Sequence, residues 1–195
     1  MTWGGRNDKA DRRSPRYKVA VNLSGTSIAS KPFVMKLHKL LAQYAGFAGS
    51  LIFEITESAK IRDLEKVNAT VQSLRRAGHK VCLDDFGAGA AAFQYLRDLE
   101  VDVVKIDGAY VKGALKTEKG MAFLRAMAGL CNDLGITTIA EMVEDQQSRQ
   151  FLRDCGVGYG QGYLFGRPSF DISSFEAPGP SDFAKAKKGA VGGAR

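Results

Sequence analysis

Acidic and amide side chains recur at the ends of short apolar runs along this 195-residue chain. Two adjacent carboxylates, Asp84 and Asp85, end one run, and Lys105 lies near the end of the next. Oxygen ligands of this kind stand at Asn22, Glu54, Asp84, Asp85, Glu141 and Gln161. They suit Mg²⁺ or Mn²⁺ and do not suit zinc. Adjacent carboxylates can address two cations, which predicts metal-assisted attack at a phosphodiester, with Lys105 orienting the water or neutralising the phosphate.

The apolar runs are predicted to be buried β-strands, and the segments between them have helical periodicity. The strand-like runs cover residues 19–24, 51–58, 81–87, 101–107, 137–144 and 158–164, and the helical segments cover 61–77, 91–99, 121–134 and 145–155. Gly78, Gly135 and Gly156 are predicted to end three of these helices. The alternation predicts most of a parallel β/α barrel, with its site at the carboxyl ends of the strands. His79, directly after Gly78, is expected to be a turn residue that faces solvent.

The composition indicates one domain with two loose ends. A hydrophobic content of 45% is enough for one substantial core. We divide the chain into a basic segment over 1–16, the domain over 17–170 and a disordered or loosely packed tail over 171–195. Much of the formal charge of +7 lies in those ends. Terminal charge of this kind is typical of solvated tails, so we expect no nucleic-acid polymer as partner.

Three cysteines occur in the chain, at Cys82, Cys131 and Cys155. Their odd number and the lack of CxxC spacing argue against a disulfide framework or a zinc site. They favour a reducing compartment, and we expect the cytoplasm. No apolar stretch is long enough to cross a bilayer, so we expect no membrane segment in this chain.

Six ordered motifs give the chain a resemblance to a known family. They are VNLS at 21–24, EITE at 54–57, DDFG at 84–87, VKID at 104–107, AEMVE at 140–144 and QGYLFGRP at 161–168. Over about residues 17–168 the chain resembles the EAL domain family, which contains the bacterial cyclic-di-GMP phosphodiesterases and their degenerate, ligand-sensing relatives. The resemblance implies a TIM-type β/α barrel that binds cyclic-di-GMP with two Mg²⁺ or Mn²⁺ ions.

The resemblance also implies a role for each motif residue. The metal ligands would be Asn22, Glu54, Asp84, Asp85 and Glu141. Lys105 would hold the catalytic water, Gln161 would support the metal and water network, and Glu57 would brace the loop after Asp85. The nucleotide pocket would be lined by Glu144, Phe165, Arg167 and Pro168.

Two departures from the family pattern affect the expected activity. The family barrel begins with two further strands, one of which carries an E-x-L metal ligand, whereas residues 1–16 contain no Glu. The loop over 87–93 is rich in alanine and lacks the hydroxyl groups that could fix Glu57 or a metal ligand. We therefore expect an incomplete barrel with about six of eight strands, a two-metal site that lacks one ligand, and weak or absent hydrolysis.

An incomplete barrel leaves strand edges exposed. An incomplete gene product is our first explanation, and a partner protein or a homo-oligomer that covers the open edge is the alternative. Three functions stay open at this point. The first is cyclic-di-GMP binding with weak or absent hydrolysis to pGpG. The second is an active Mg²⁺- or Mn²⁺-dependent phosphodiesterase, and the third is a protein-interaction module without ligand.

Overall fold

Six parallel strands form the centre of the computed structural model, which describes residues 18–56, 63–87, 89 and 92–170. The strands are β1 (Val19–Leu23), β2 (Leu51–Thr56), β3 (Lys80–Phe86), β4 (Val103–Ile106), β5 (Thr137–Ala140) and β6 (Tyr159–Gly160). They lie in chain order across one sheet, and every neighbouring pair is parallel. The predicted number, order and direction of the strands are confirmed. The basic segment over 1–16 and the tail from 171 lie outside the described residues.

Helices connect successive strands. They are α1 (Gly25–Ile28), α2 (Lys31–Gln43), α3 (Leu64–Arg76), α4 (Ala92–Asp98), α5 (Gly108–Ala114), α6 (Glu118–Asp133) and α7 (Gln146–Asp154), with a 3₁₀ turn at Ala45–Phe47. Gly78, Gly135 and Gly156 have positive φ angles directly after α3, α6 and α7, as predicted. None of the helices in the described ranges is long and apolar enough to cross a membrane.

The core lies between the sheet and the helices packed on it. Phe53 of β2 and Phe86 of β3 are among its largest fully buried side chains. Leu74 of α3 and Leu124 of α6 cover the sheet and are also fully buried. Within the described residues, β1 and β6 each pair with a single strand, so the sheet they form is not closed. Val19, on the outer strand β1, is 56% exposed.

His79 does not face solvent, and our expectation for this residue was wrong. Its side chain is buried, with 6% exposed, and its ring meets Phe53 edge-on at a centroid distance of 5.4 Å. Gly78 turns the chain directly into β3, and the next side chain packs on Phe53 of the neighbouring strand β2. Burial, and to a smaller extent the nearby His38, lowers the pKa of His79 from its ordinary value of 6.5.

The His79→Phe variant should show a weaker dependence of stability on pH. Because the folded state binds the His79 proton less readily than the unfolded chain, stability is greatest above pH 6.5 and falls as the pH drops toward the lowered folded pKa. Urea unfolding of both proteins at about pH 7.5 and about pH 5.5 measures the difference. Equal losses of stability in wild type and variant would show that His79 is not the responsible group.

Candidate metal centre

The predicted metal ligands and Gln161 lie at the carboxyl edge of the sheet. Asn22 of β1 is the register partner of Glu54 of β2, so the two side chains share one face. Asp84 lies opposite Thr56, two residues beyond Glu54, and therefore shares that face as well. Glu141 directly follows β5, and Gln161 directly follows β6. The sequence predicted this convergence, because parallel strands present their carboxyl ends at the same edge.

Lys105 of β4 lies at the centre of three carboxylates. Its Nζ is 2.7 Å from Glu141 Oε1, 2.9 Å from Asp84 Oδ1 and 3.6 Å from Glu54 Oε2. Only 7% of the lysine is exposed. Burial alone lowers its pKa, but the contacts with Glu141 and Asp84 outweigh burial and raise it. Lys105 therefore stays charged, and one buried ammonium faces three acidic groups.

The acidic side chains around Lys105 are crowded. Burial raises the pKa of Glu54, and the neighbouring carboxylates of Asp84 and Glu141 raise it further against the lowering effect of Lys105. Burial likewise raises the pKa of Asp85, helped by Asp84 and by Asp107. One lysine thus does not fully compensate the negative charge at this edge. A cation of higher charge would be attracted to the same place.

Three of these carboxylates are arranged as a metal ligand group. Asp84, Asp85 and Glu141 each present an oxygen atom, and the three atoms lie within 4.8 Å of one another. Asp84 Oδ1 is buried and accepts no well-aligned hydrogen bond from the described residues, its close neighbour being the Lys105 ammonium. Such an oxygen retains lone pairs for a hard cation. The residues present therefore fit a divalent metal ion.

A local distortion brings the adjacent residues Asp84 and Asp85 into one group. On a regular strand, neighbouring side chains point to opposite faces. Here the β3 to β4 pairing shifts register between Leu83 and Phe86, and Asp85 adopts a left-handed backbone with φ of 57°. This conformation in a residue other than glycine costs about 1–3 kcal/mol. Strained backbone of this kind is typical of functional sites, and no residue pattern in the chain predicted it.

A cleft of about 240 Å³ lies beside the carboxylates. It is lined by Glu141, Met142, Glu144, Gln161, Gly162 and Tyr163. Among them, Glu144 Oε2 forms an ion pair with Lys112 Nζ of α5 at 3.2 Å. Of the four residues predicted for a nucleotide pocket, only Glu144 is among these lining residues.

The other three predicted pocket residues lie outside this lining. Phe165 packs partly buried against the core, the Arg167 guanidinium lies 4.5 Å from the centroid of the Tyr163 ring, and Pro168 is exposed. Met142 and Tyr163 were not predicted. Tyr163 stands between the predicted residues Gln161 and Phe165, and that spacing was an available signal. Glu57 and much of the alanine-rich loop lie outside the described residues, so their roles stay predictions.

Comparison with known proteins identifies the family. The EAL domain family matches residues 6–168. This match, together with the parallel sheet and the carboxylate edge, shows that the chain belongs to the EAL domain family. Cyclic di-GMP phosphodiesterase PdeB of Shewanella oneidensis is 37% identical over 150 residues, which cover 77% of this chain and 18% of PdeB. Cyclic di-GMP phosphodiesterase PdeF of Escherichia coli is 32% identical over 156 residues, which cover 80% of this chain and 21% of PdeF.

Solved structures of EAL domains share the fold. An EAL domain protein from Listeria monocytogenes superposes with a TM-score of 0.73 and 30% identity, covering 90% of this chain and 66% of that chain. BlrP1 of Klebsiella pneumoniae, solved as a complex with manganese and cyclic di-GMP, has a TM-score of 0.68 and 30% identity, covering 77% of this chain and 39% of its own. These structures confirm the TIM-barrel class of the fold. The chain spans about a fifth of the length of PdeB and PdeF.

Proposed function

We propose that this EAL domain binds cyclic di-GMP through Mg²⁺ or Mn²⁺ and hydrolyses it slowly, if at all, to linear pGpG. The observation that carries the proposal is the convergence of Asp84, Asp85 and Glu141 within 4.8 Å, beside the cleft at Gln161 and Tyr163. A cyclic dinucleotide presents two phosphodiester groups and two planar bases. The carboxylates would hold the cation that a phosphate needs. The Tyr163 ring, which is 56% exposed and has the Arg167 guanidinium over one face, would offer its other face for a base to stack on.

The chain's own residues have distinct tasks in this proposal. Asp84, Asp85 and Glu141 would hold the cation, with Asn22 and Glu54 as further oxygen ligands at the same edge. When bound, the cation would neutralise a phosphate and make its phosphorus more electrophilic. Lys105, which contacts Asp84 and Glu141, would donate a hydrogen bond to a water or a phosphate oxygen. Gln161 would supply an amide to the same network.

The same geometry supports slow hydrolysis. Hydrolysis forms a bond from the water oxygen to phosphorus, breaks one phosphorus to sugar-oxygen bond, and moves a proton to the leaving oxygen. Two-metal enzymes stabilise both the attacking and the leaving oxygen. Among the described residues only one group of three carboxylates converges closely. One well-built cation site is sufficient for binding, but it supports only half of that mechanism.

An active phosphodiesterase is the second candidate, and two observations favour it. The relatives PdeB and PdeF bear that name, and Lys105 lies beside Asp84 and Glu141 with its charge retained. Full activity requires two cations, so it would need ligands beyond the close group of three.

Product analysis separates the two candidates. The purified chain is incubated with cyclic di-GMP and Mn²⁺, and the nucleotides are resolved by chromatography over hours, with an EDTA-treated sample as control. We expect the dinucleotide to be retained by the protein and converted to pGpG with much less than one turnover per minute. Rapid, EDTA-sensitive conversion would establish the enzyme instead. If the protein neither retained nor converted the dinucleotide, the whole proposal would be contradicted.

A further inference from the structure

The start of helix α5 touches both segments that carry the convergent carboxylates. Gly108 is the first residue of α5, and a methyl group placed on it would lie 2.6 Å from Met142 Cβ and closer still to Met142 Cγ and Sδ. Two residues on, the Tyr110 ring would lie 3.1 Å from a methyl group placed on Gly87. The first turn of α5 therefore packs against the residue after Glu141 and against the turn that follows Asp85.

Met142 is held in an unusual conformation between two fixed neighbours. Its φ is 53°, in the left-handed region that residues other than glycine seldom adopt. The Glu141 amide donates to Ile106 O at 3.1 Å, and the Val143 amide donates to Gln161 O at 2.9 Å. Because both flanking amides are hydrogen-bonded to neighbouring segments, a displacement of the Met142 backbone strains these two bonds, and the first of them sets the position of Glu141.

The start of α5 is itself fixed to the sheet. The Asp107 amide donates to Phe86 O at 3.0 Å, and the Asp107 carboxylate accepts from the Tyr110 amide at 2.7 Å. Gly108 thus has a defined position relative to the end of β3. It also lacks the side chain that would collide with Met142.

We propose that Gly108 and Met142 form a matched pair that positions Glu141 relative to Asp84 and Asp85, so both are positioning residues for the cation site. The inference rests on the proposed function, because the proposed function assigns Glu141 as a metal ligand. Met142 lies over Gly108, and the left-handed turn at Met142 places the Glu141 carboxylate beside the aspartates. A side chain at position 108 would collide with Met142 Cβ at 2.6 Å, which rotation of the outer part of the Met142 side chain does not relieve, so the backbone beside Glu141 is expected to shift.

The test is Gly108→Ala in two backgrounds. In the otherwise wild-type chain it should weaken Mn²⁺ binding, measured by calorimetric titration, by about tenfold, the usual size of an effect on a group that supports a metal ligand. In a Met142→Gly background the same substitution should leave the affinity unchanged, because the colliding side chain is gone and glycine accepts a positive φ. If Gly108→Ala acted only by lowering the stability of α5, the Met142→Gly background would not restore the Mn²⁺ affinity.

Gly113→Ala is the matched control on the same helix. A methyl group on Gly113 would meet no atom within 4 Å, so this change alters helix propensity without a collision. The methyl NMR signal of Met142, assigned by its loss in Met142→Gly, should shift in Gly108→Ala and not in Gly113→Ala. Equal Mn²⁺ affinities for Gly108→Ala and Gly113→Ala would overturn this inference but not the proposed function. An equal loss of affinity from Gly108→Ala in the wild-type and Met142→Gly backgrounds would do the same. Absence of Mn²⁺ binding by the wild-type chain would overturn the proposed function and this inference with it.

Discussion

Asp84→Asn should reduce the affinity of the chain for Mn²⁺ by about two orders of magnitude, because it removes a formal charge from the centre of the ligand group. Asp84 belongs to the group that lies within 4.8 Å and contacts Lys105 at 2.9 Å. The amide keeps the shape of the side chain, so the fold should persist. Calorimetric titration with Mn²⁺, supported by a thermal melt in EDTA, gives both affinity and stability.

Asp98→Asn is the control for Asp84→Asn. It removes the same charge from a surface residue at the end of α4, which pairs with Arg97 at 2.7 Å. Its Mn²⁺ affinity should equal that of the wild type. If Asp84→Asn also binds Mn²⁺ with unchanged affinity, the cation site has been assigned to the wrong residues.

Lys105→Met should destabilise the metal-free chain by about 3–5 kcal/mol, because three partly buried carboxylates lose their only described cationic partner. Mn²⁺ should then bind more tightly than to the wild type, since the competing ammonium is gone, and should restore much of the lost stability. Urea unfolding in EDTA and in Mn²⁺ measures both effects. The loss in EDTA should shrink as the pH falls, because Glu54, whose pKa burial already raises, takes up a proton.

Lys112→Met provides the comparison for Lys105→Met. Lys112 pairs with Glu144 at 3.2 Å, and both side chains are 45% exposed, so solvent screens the pair. Its loss should lower stability by less than about 1 kcal/mol. The account of Lys105 would be wrong if the two variants were equally stable in EDTA and bound Mn²⁺ alike.

The sequence was sufficient to predict the strands and the edge at which the polar residues meet. Each buried run ends in polar groups, and parallel strands place those ends together, so Asn22, Glu54, Asp84 and Glu141 could be assigned to one edge. The helix ends at Gly78, Gly135 and Gly156 could be predicted, because a glycine in the left-handed conformation commonly ends a helix. These features depend on local patterns.

Features that depend on backbone distortion or on contacts between distant segments could not be predicted. The register shift in β3 and the left-handed Asp85 bring two adjacent carboxylates into one group, and alternation along a strand predicts the opposite. The burial of His79 depends on Phe53 of another strand. The packing of Met142 on Gly108 joins residues 34 positions apart in the chain, and neither residue type signals the other.

We propose that a divalent cation held by Asp84, Asp85 and Glu141 recruits cyclic di-GMP. The most direct measurement is a calorimetric titration of the wild-type chain with cyclic di-GMP, carried out once in Mn²⁺ and once in EDTA, with Asp84→Asn in Mn²⁺ alongside. We predict saturable binding in Mn²⁺, and binding weakened at least tenfold in EDTA and in Asp84→Asn. Equal affinity under all three conditions would contradict metal-dependent recruitment. Absence of binding by a folded wild-type chain in Mn²⁺ would contradict the account as a whole.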